Sequence, residues 1–291
     1  MNRSVLADLF IAYSGVFSLK PQKKIDGCAL NNYNQNSKII FREDHVMLKG
    51  KKIMVVGASR GIGEAIAYAY AKEGADLVLV GRNAETLSPV LEKCRTYGVK
   101  VYAIEWDVAD VGRADEVMEK AAELMGDLDV VLHNAGVIDR EKFLSVREEE
   151  WDRIFSVNVK GAYFCCQAAA NFYLRAHEEE EYKGKIIVIS SECGHQPHTS
   201  PYGISKWSVH GLCNGLAKAL FRRGVVVQNI APGPVTTEMM KWEPGKSDAF
   251  NSAFGRMAYP EEIADLAVFL ATDKSNRIAG MPIYINGGLN I

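Results

Sequence analysis

Ile53-Met54-Val55-Val56-Gly57-Ala58-Ser59-Arg60-Gly61-Ile62-Gly63 changes character halfway along its length. Its first four residues are apolar and mostly β-branched, the signature of a buried strand, and its glycines lead straight into the helical run Glu64 to Lys72. A glycine-rich turn between a strand and a helix N-terminus lets backbone approach a ligand closely. The unpaired N–H groups and dipole of the helix then favour a phosphate. A tight strand-to-helix connection without a ligand is the simpler alternative, but strand, glycine spacing and helix all agree here.

The same alternation continues outward from this stretch. Strands are expected at Ile53 to Gly57, Asp76 to Val80, Val99 to Ile104, Asp129 to His133, Lys185 to Ser190, Val225 to Ile230 and Pro282 to Ile285. Helices are expected to start near Gly61, Ala84, Ala109, Arg147, Ser200 and Pro260. Strands separated by helices predict βαβ units, hence an α/β fold with one doubly wound, seven-stranded parallel sheet over residues 49–291. Residues 1–48 read as an appended N-terminal arm, with an apolar run from Val5 to Leu19 and an Asn-rich middle. That run is interrupted by Asp8 and is too short to span a bilayer, so an amphipathic packing helix is expected rather than a membrane anchor or secretory signal.

Composition narrows the function classes. The 291 residues are 48% hydrophobic and 24% charged, enough for a full core, and the net charge of −2 gives no electrostatic footprint for nucleic acid or an anionic membrane. Cys28, Cys94, Cys165, Cys166, Cys193 and Cys213 form no CxxC pair and no metal-ligand spacing, so a reducing, cytoplasmic setting without a bound metal is expected.

Several residues at the carboxyl ends of the strands carry chemistry. The second strand ends in Gly81-Arg82-Asn83, without the acid that would bind both ribose hydroxyls of NAD. Arg82 and Arg60 could instead converge on a 2′-phosphate, which favours NADP(H) over NAD(H). Asp107 follows the third strand, as adenine acceptor or helix cap, and Asn134-Ala135-Gly136 follows the fourth, as ligand wall or turn. Further on, Tyr202 and Lys206 are four apart on one helical face. A lysine ammonium held near a phenol lowers its pKa from about 10 toward the range of efficient proton transfer.

Together these motifs resemble the short-chain dehydrogenase/reductase family, in its 3-oxoacyl-carrier-protein reductase-like form. The likeness runs from about Lys49 to Ile291 and rests on the glycine motif, His133-Asn134-Ala135-Gly136, Asn158, Ser190-Ser191, Tyr202 with Lys206, Asn229-Ile230-Ala231-Pro232-Gly233 with Thr237, and Asn286-Gly287-Gly288. It implies a single Rossmann domain and reversible ketone–alcohol hydride transfer. Tyr202 would be the general acid/base and Lys206 would support it and hold the nicotinamide ribose. Ser191 would bond the substrate oxygen, and Asn158 would bend its helix and hold a water. Cofactor contacts would come from Gly57, Ser59, Arg60, Gly61, Ile62, Gly63, Arg82, Asp107, Val108, Asn134, Ala135, Gly136, Pro232, Gly233, Val235 and Thr237, besides Tyr202 and Lys206.

There are departures from the family pattern. Val56 stands where a threonine usually opens the glycine motif, and His133 and Asn286 replace the commoner asparagine and aspartate. Ser191 is slightly closer to Tyr202 than usual, which leaves Ser190 as a second candidate hydroxyl. His195 and His198 border the expected substrate side, and Glu238 to Phe254 read as a lid with apolar anchors, suited to a partly apolar ketone or secondary alcohol. The helices Val159 to Ala176 and Tyr202 to Phe221 carry apolar residues on more than one face, which predicts a homo-oligomer, a tetramer or dimer. The competing class is a catalytically idle NADP(H)-binding sensor or scaffold, which the retained tyrosine, lysine, serine and asparagine argue against.

Overall fold

The computed structural model describes residues 46–139 and 142–289. The expected arm therefore lies outside the described residues except for its last three positions. Of these, Leu48 is buried in the core and its N–H donates to the Glu73 carbonyl at 3.0 Å.

Seven strands are formed: β1 (Lys52–Val56), β2 (Asp76–Gly81), β3 (Val101–Glu105), β4 (Val130–His133), β5 (Gly184–Ile189), β6 (Val225–Pro232) and β7 (Pro282–Ile285). They make one sheet in the order β3-β2-β1-β4-β5-β6-β7, and every pairing is parallel. Both faces of the strands are apolar, and alternate residues feed opposite layers. Ile53, Val55, Leu77 and Leu79 join one core with Leu132 and Ile187. Met54, Val56, Val78 and Val80 join the other with Val131 and Ile186.

Each core is closed by three helices. The first lies under α1 (Gly61–Lys72), α2 (Ala84–Arg95) and the last helix, α7 (Pro260–Ala271). The second lies under α3 (Ala114–Met125), α5 (Ala162–Ala176) and α6 (Pro201–Leu220). The expected doubly wound α/β fold is the one formed. A buried lysine at the amino end of β5 ties the sheet to α7: Lys185 Nζ donates to the Leu270 and Thr272 carbonyls at 2.6 and 2.7 Å, and burial pushes its pKa down to about 7. Those carbonyls end α7, where the helix dipole favours a cation.

The helix expected to start near Arg147 is formed as α4 (Glu148–Phe155), and Ser156–Gly161 continues it as a π-helical turn that runs into α5. Ser156-Val157-Asn158-Val159-Lys160-Gly161 contains no proline, and its one poor helix former, Gly161, stands at its end. The widened turn is held instead by the side chain of Asn158, described below.

Candidate active site

The strand order reverses between β1 and β4, which flank each other while their crossovers lead to opposite sides. In open α/β sheets ligands bind in the crevice outside the carboxyl ends at such a point. Here the crevice is built from backbone. Gly57 has φ +83°, and a Cβ there would come within 2.7 Å of the Ala135 nitrogen. A Cβ on Gly63 would sit 2.0 Å from the Gly57 carbonyl, so that position also requires glycine. Asn134 Nδ2 donates to the same carbonyl at 2.8 Å and locks the β4 loop to the glycine turn.

A cavity of about 510 Å³ opens here. Gly57, Ser59, Arg60, Gly61 and Ile62 line it from the turn, and Arg82, Asp107 and Val108 from the ends of β2 and β3. Asn134, Ala135 and Gly136 form its floor and Thr237 its far side. Asp107 is not the helix cap that the sequence left open: its Oδ1 accepts from the Ala109 N–H at 3.0 Å in the preceding turn, and Asp110 stands at the cap of the helical turn that follows. Gly63, Pro232, Gly233 and Val235 do not line the cavity. Val235 is buried and pairs with Ala258, and Gly233 packs so closely on Asn286 that a Cβ would meet its Cα at 2.8 Å. Met239 and Trp242 of the expected lid reach the cavity, as do Tyr68, which no sequence pattern singled out, and Pro260, which was read only as a helix start.

Asn158, Ser191, Tyr202 and Lys206 do not line this cavity but abut its end. Gly136 provides the link, since it lines the cavity while a Cβ on it would lie 3.5 Å from both Lys206 Nζ and Asn158 Oδ1. Asn158 Oδ1 accepts from the Val137 N–H at 2.8 Å, and its Nδ2 donates to the Val137 carbonyl at 2.9 Å and to Ser205 Oγ at 3.0 Å. This buried side chain spans the π turn, the loop after β4 and α6, which accounts for the local distortion of the helix.

Helix α6 starts at a strong cap. Ser200 Oγ accepts from the Gly203 N–H at 3.1 Å, Pro201 opens the first turn, and Asp139 Oδ2 accepts from the Tyr202 N–H at 2.7 Å. Lys206, one turn on, is buried with Nζ 5.7 Å from the centre of the Tyr202 ring and 3.4 Å from the Ile189 carbonyl. The two candidate serines are separated by their partners. Ser190 Oγ is committed to Asn229 Oδ1 at 2.5 Å and to His210 Nε2 at 2.9 Å. Ser191 begins the short turn after β5, its Oγ accepting from the Cys193 N–H at 3.2 Å, and it also hydrogen-bonds the Tyr202 side chain.

The electrostatics differ from the simple lysine–tyrosine expectation. Burial pushes the Tyr202 phenol up to about 12, and the Ser191 hydrogen bond opposes that rise. Burial also pushes Lys206 down to about 8. Desolvation disfavours both charged forms, so at neutral pH the phenol is a proton donor and the lysine is largely a cation. His133, on β4 below them, is buried and pushed down to about 3 by burial and by Lys206, and neither ring nitrogen has a partner among the described residues.

The substrate-side loop is only partly as expected. His198 folds onto α6, its Nδ1 3.1 Å from Ser200 Oγ and its ring against Gly203. His195 instead faces Tyr284 of β7, with ring centres 5.7 Å apart.

A glycine-cradled crevice at the switch point of a parallel sheet, with tyrosine and lysine at its end, defines a nucleotide-dependent oxidoreductase. The family model for short chain dehydrogenase matches residues 51–246, and this chain belongs to the short-chain dehydrogenase/reductase family, whose members act on alcohol and carbonyl groups with NAD(P). It is 32% identical over 245 residues to 3-oxoacyl-[acyl-carrier-protein] reductase FabG of Staphylococcus aureus, which covers 82% of this chain and 98% of the relative. It is 36% identical over 256 residues to glucose 1-dehydrogenase of Gluconobacter oxydans, covering 83% and 92%. A short chain dehydrogenase from Burkholderia cenocepacia, solved in complex with NADP, superimposes with a TM-score of 0.76 at 28% identity, covering 84% of this chain and 100% of that one. Among the described residues no helix is long and apolar enough to cross a membrane.

Proposed function

We propose that this chain interconverts a ketone and a secondary alcohol, with NADP(H) preferred over NAD(H). The observation that carries the reading is the continuity through Gly136: a glycine-floored cavity flanked by Arg60 and Arg82 ends against Lys206 and Asn158. A dinucleotide fits that cradle, since the close packing that requires glycine at Gly57 and Gly63 holds the turn against the β4 loop, the turn lines the cavity at the N-terminus of α1, and the two guanidiniums suit a 2′-phosphate. When bound, the cofactor supplies or takes the hydride.

The protein's residues supply position and protons. In reduction Tyr202 Oη gives its proton to the substrate oxygen, and Ser191 Oγ hydrogen-bonds that oxygen as charge grows on it. Lys206, fixed in depth by its burial, holds the nicotinamide ribose hydroxyls and lends positive charge to the departing proton's site. Asn158 keeps Val137 and α6 in register around it. With the phenol near 12, reduction is favoured at neutral pH, and oxidation should accelerate as pH rises toward that value. A partly apolar substrate suits the Met239 and Trp242 wall.

Titrating NADPH and NADH separately into wild-type protein and Arg82→Ala tests the cofactor reading. An NADPH preference that falls at least about tenfold in the variant is expected, from the loss of one charge-assisted phosphate contact. Equal binding of the two cofactors by wild type overturns it. A homo-oligomer is also proposed, because Trp151 and Tyr163 stand exposed along α4 and α5; a monomer by light scattering at micromolar concentration would refute that.

A further inference from the structure

Arg60 already has a partner. Its Nη1 lies 2.8 Å from Glu238 Oε2, and both side chains are largely exposed at the mouth of the cavity they line. Glu238 is presented by a fixed turn. The Met240 and Trp242 N–H groups both donate to the Thr237 carbonyl, at 3.0 and 3.1 Å, and Lys241 closes the turn with φ +56°. Thr237 in turn sits over the glycine turn, its Cγ2 3.3 Å from where a Gly61 Cβ would be. The carboxylate is thus held across the crevice from the arginine that the 2′-phosphate would use.

We propose that Glu238 is a specificity-determining residue that competes with the cofactor's 2′-phosphate for Arg60. The inference rests on the NADP(H) reading above. An exposed ion pair is weak and exchangeable, whereas a phosphate dianion offers a guanidinium more charge and more acceptor oxygens than one carboxylate. NADPH therefore displaces Glu238 from Arg60 and leaves the carboxylate without that partner. NADH has no group that makes this exchange and leaves the pair intact. Glu238 thereby lowers the affinity for the phosphorylated cofactor alone, and sets how far the two cofactors are separated.

The test is a double-mutant cycle read by titration of NADPH and NADH into wild type, Glu238→Gln, Arg60→Ala and the double variant, each checked for an unchanged melting temperature. Glu238→Gln should tighten NADPH about five- to tenfold and change NADH less than twofold. In the Arg60→Ala background the same substitution should change NADPH less than twofold. Equal shifts for both cofactors, a weakened NADPH, or a gain that persists without Arg60 would each overturn the competition. The cofactor reading is judged separately on wild type and Arg82→Ala. A wild type without NADPH preference that acquires one on Glu238→Gln would sink that reading and keep the competition. A wild type with the preference and no selective response would do the reverse.

Discussion

Around Gly57 the site is made mainly of backbone: positive φ, glycines with no room for a Cβ and the Asn134 bond to the Gly57 carbonyl at 2.8 Å define the crevice, and its charged side chains stand exposed. Around Lys206 the site is made of side chains, buried and tied to one another or to main chain by Asn158, Asp139 and the serine pair. The two halves meet at Gly136 and Val137, which line the cavity and touch Lys206 or Asn158. Their difference separates binding from chemistry. The first half holds a shape that a ligand completes with its own charge, whereas the second holds protonation states that burial has already set.

Substitutions that act on one half alone would sharpen that division. The largest effect should come from Tyr202→Phe, which is expected to lower kcat about 10²- to 10⁴-fold while leaving the cofactor dissociation constant within about twofold. A cofactor affinity that fell in parallel would show the halves are not separable. Gly63→Ala should do the opposite. With no room before the Gly57 carbonyl, it is expected to destabilise the fold by about 1–3 kcal/mol in denaturant melts and weaken cofactor binding more than tenfold. Normal binding in that variant would mean the turn relaxes freely.

An effect on stability alone, confined to acid pH, concerns His133 beneath the side-chain half. Its folded pKa, about 3, lies below its unfolded value near 6.5, so the unfolded chain binds the proton first as pH falls. Stability from this group is complete above about pH 6.5 and is lost progressively toward pH 3. His133→Asn should flatten that acid limb by roughly 3 kcal/mol between pH 6.5 and 4, measured as the slope of unfolding free energy against pH. An unchanged slope would place the acid sensitivity elsewhere, for instance at His210, which burial pushes down to about 4.

The backbone half and the side-chain half were legible to different degrees. All seven strands follow from apolar runs, because parallel strands covered on both faces need apolar residues throughout. The glycine turn was legible because only glycine fits its angles and approaches. Tyr202, Lys206 and Asn158 were legible by residue identity, as chemistry-bearing types in a known order. Their settings were not. The bond from the Tyr202 N–H to Asp139 spans 63 residues and the Arg60–Glu238 pair spans 178, so each depends on the finished topology rather than on local pattern. The rise of the Tyr202 pKa was missed for the same reason, since spacing along a helix reveals a nearby lysine but not the depth at which both are buried. The assignment of Ser190 to Asn229 and His210 likewise needed β6 and α6 in place beside β5.

The π turn at Ser156–Gly161 has a consequence for which changes in chain length the protein tolerates. A π turn is an α-helix carrying one residue too many, and an α-helix advances about 100° per residue. Deleting a single residue between Ser156 and Gly161 would let the helix revert to regular winding while α5 keeps its phase, because the π turn absorbs the extra residue locally. Cys165, Cys166 and Ala169 would stay in the core and Tyr163 outside it. The extra residue therefore serves the placement of Asn158 rather than of α5, and such a deletion should cost activity, by moving that side chain, far more than it costs stability.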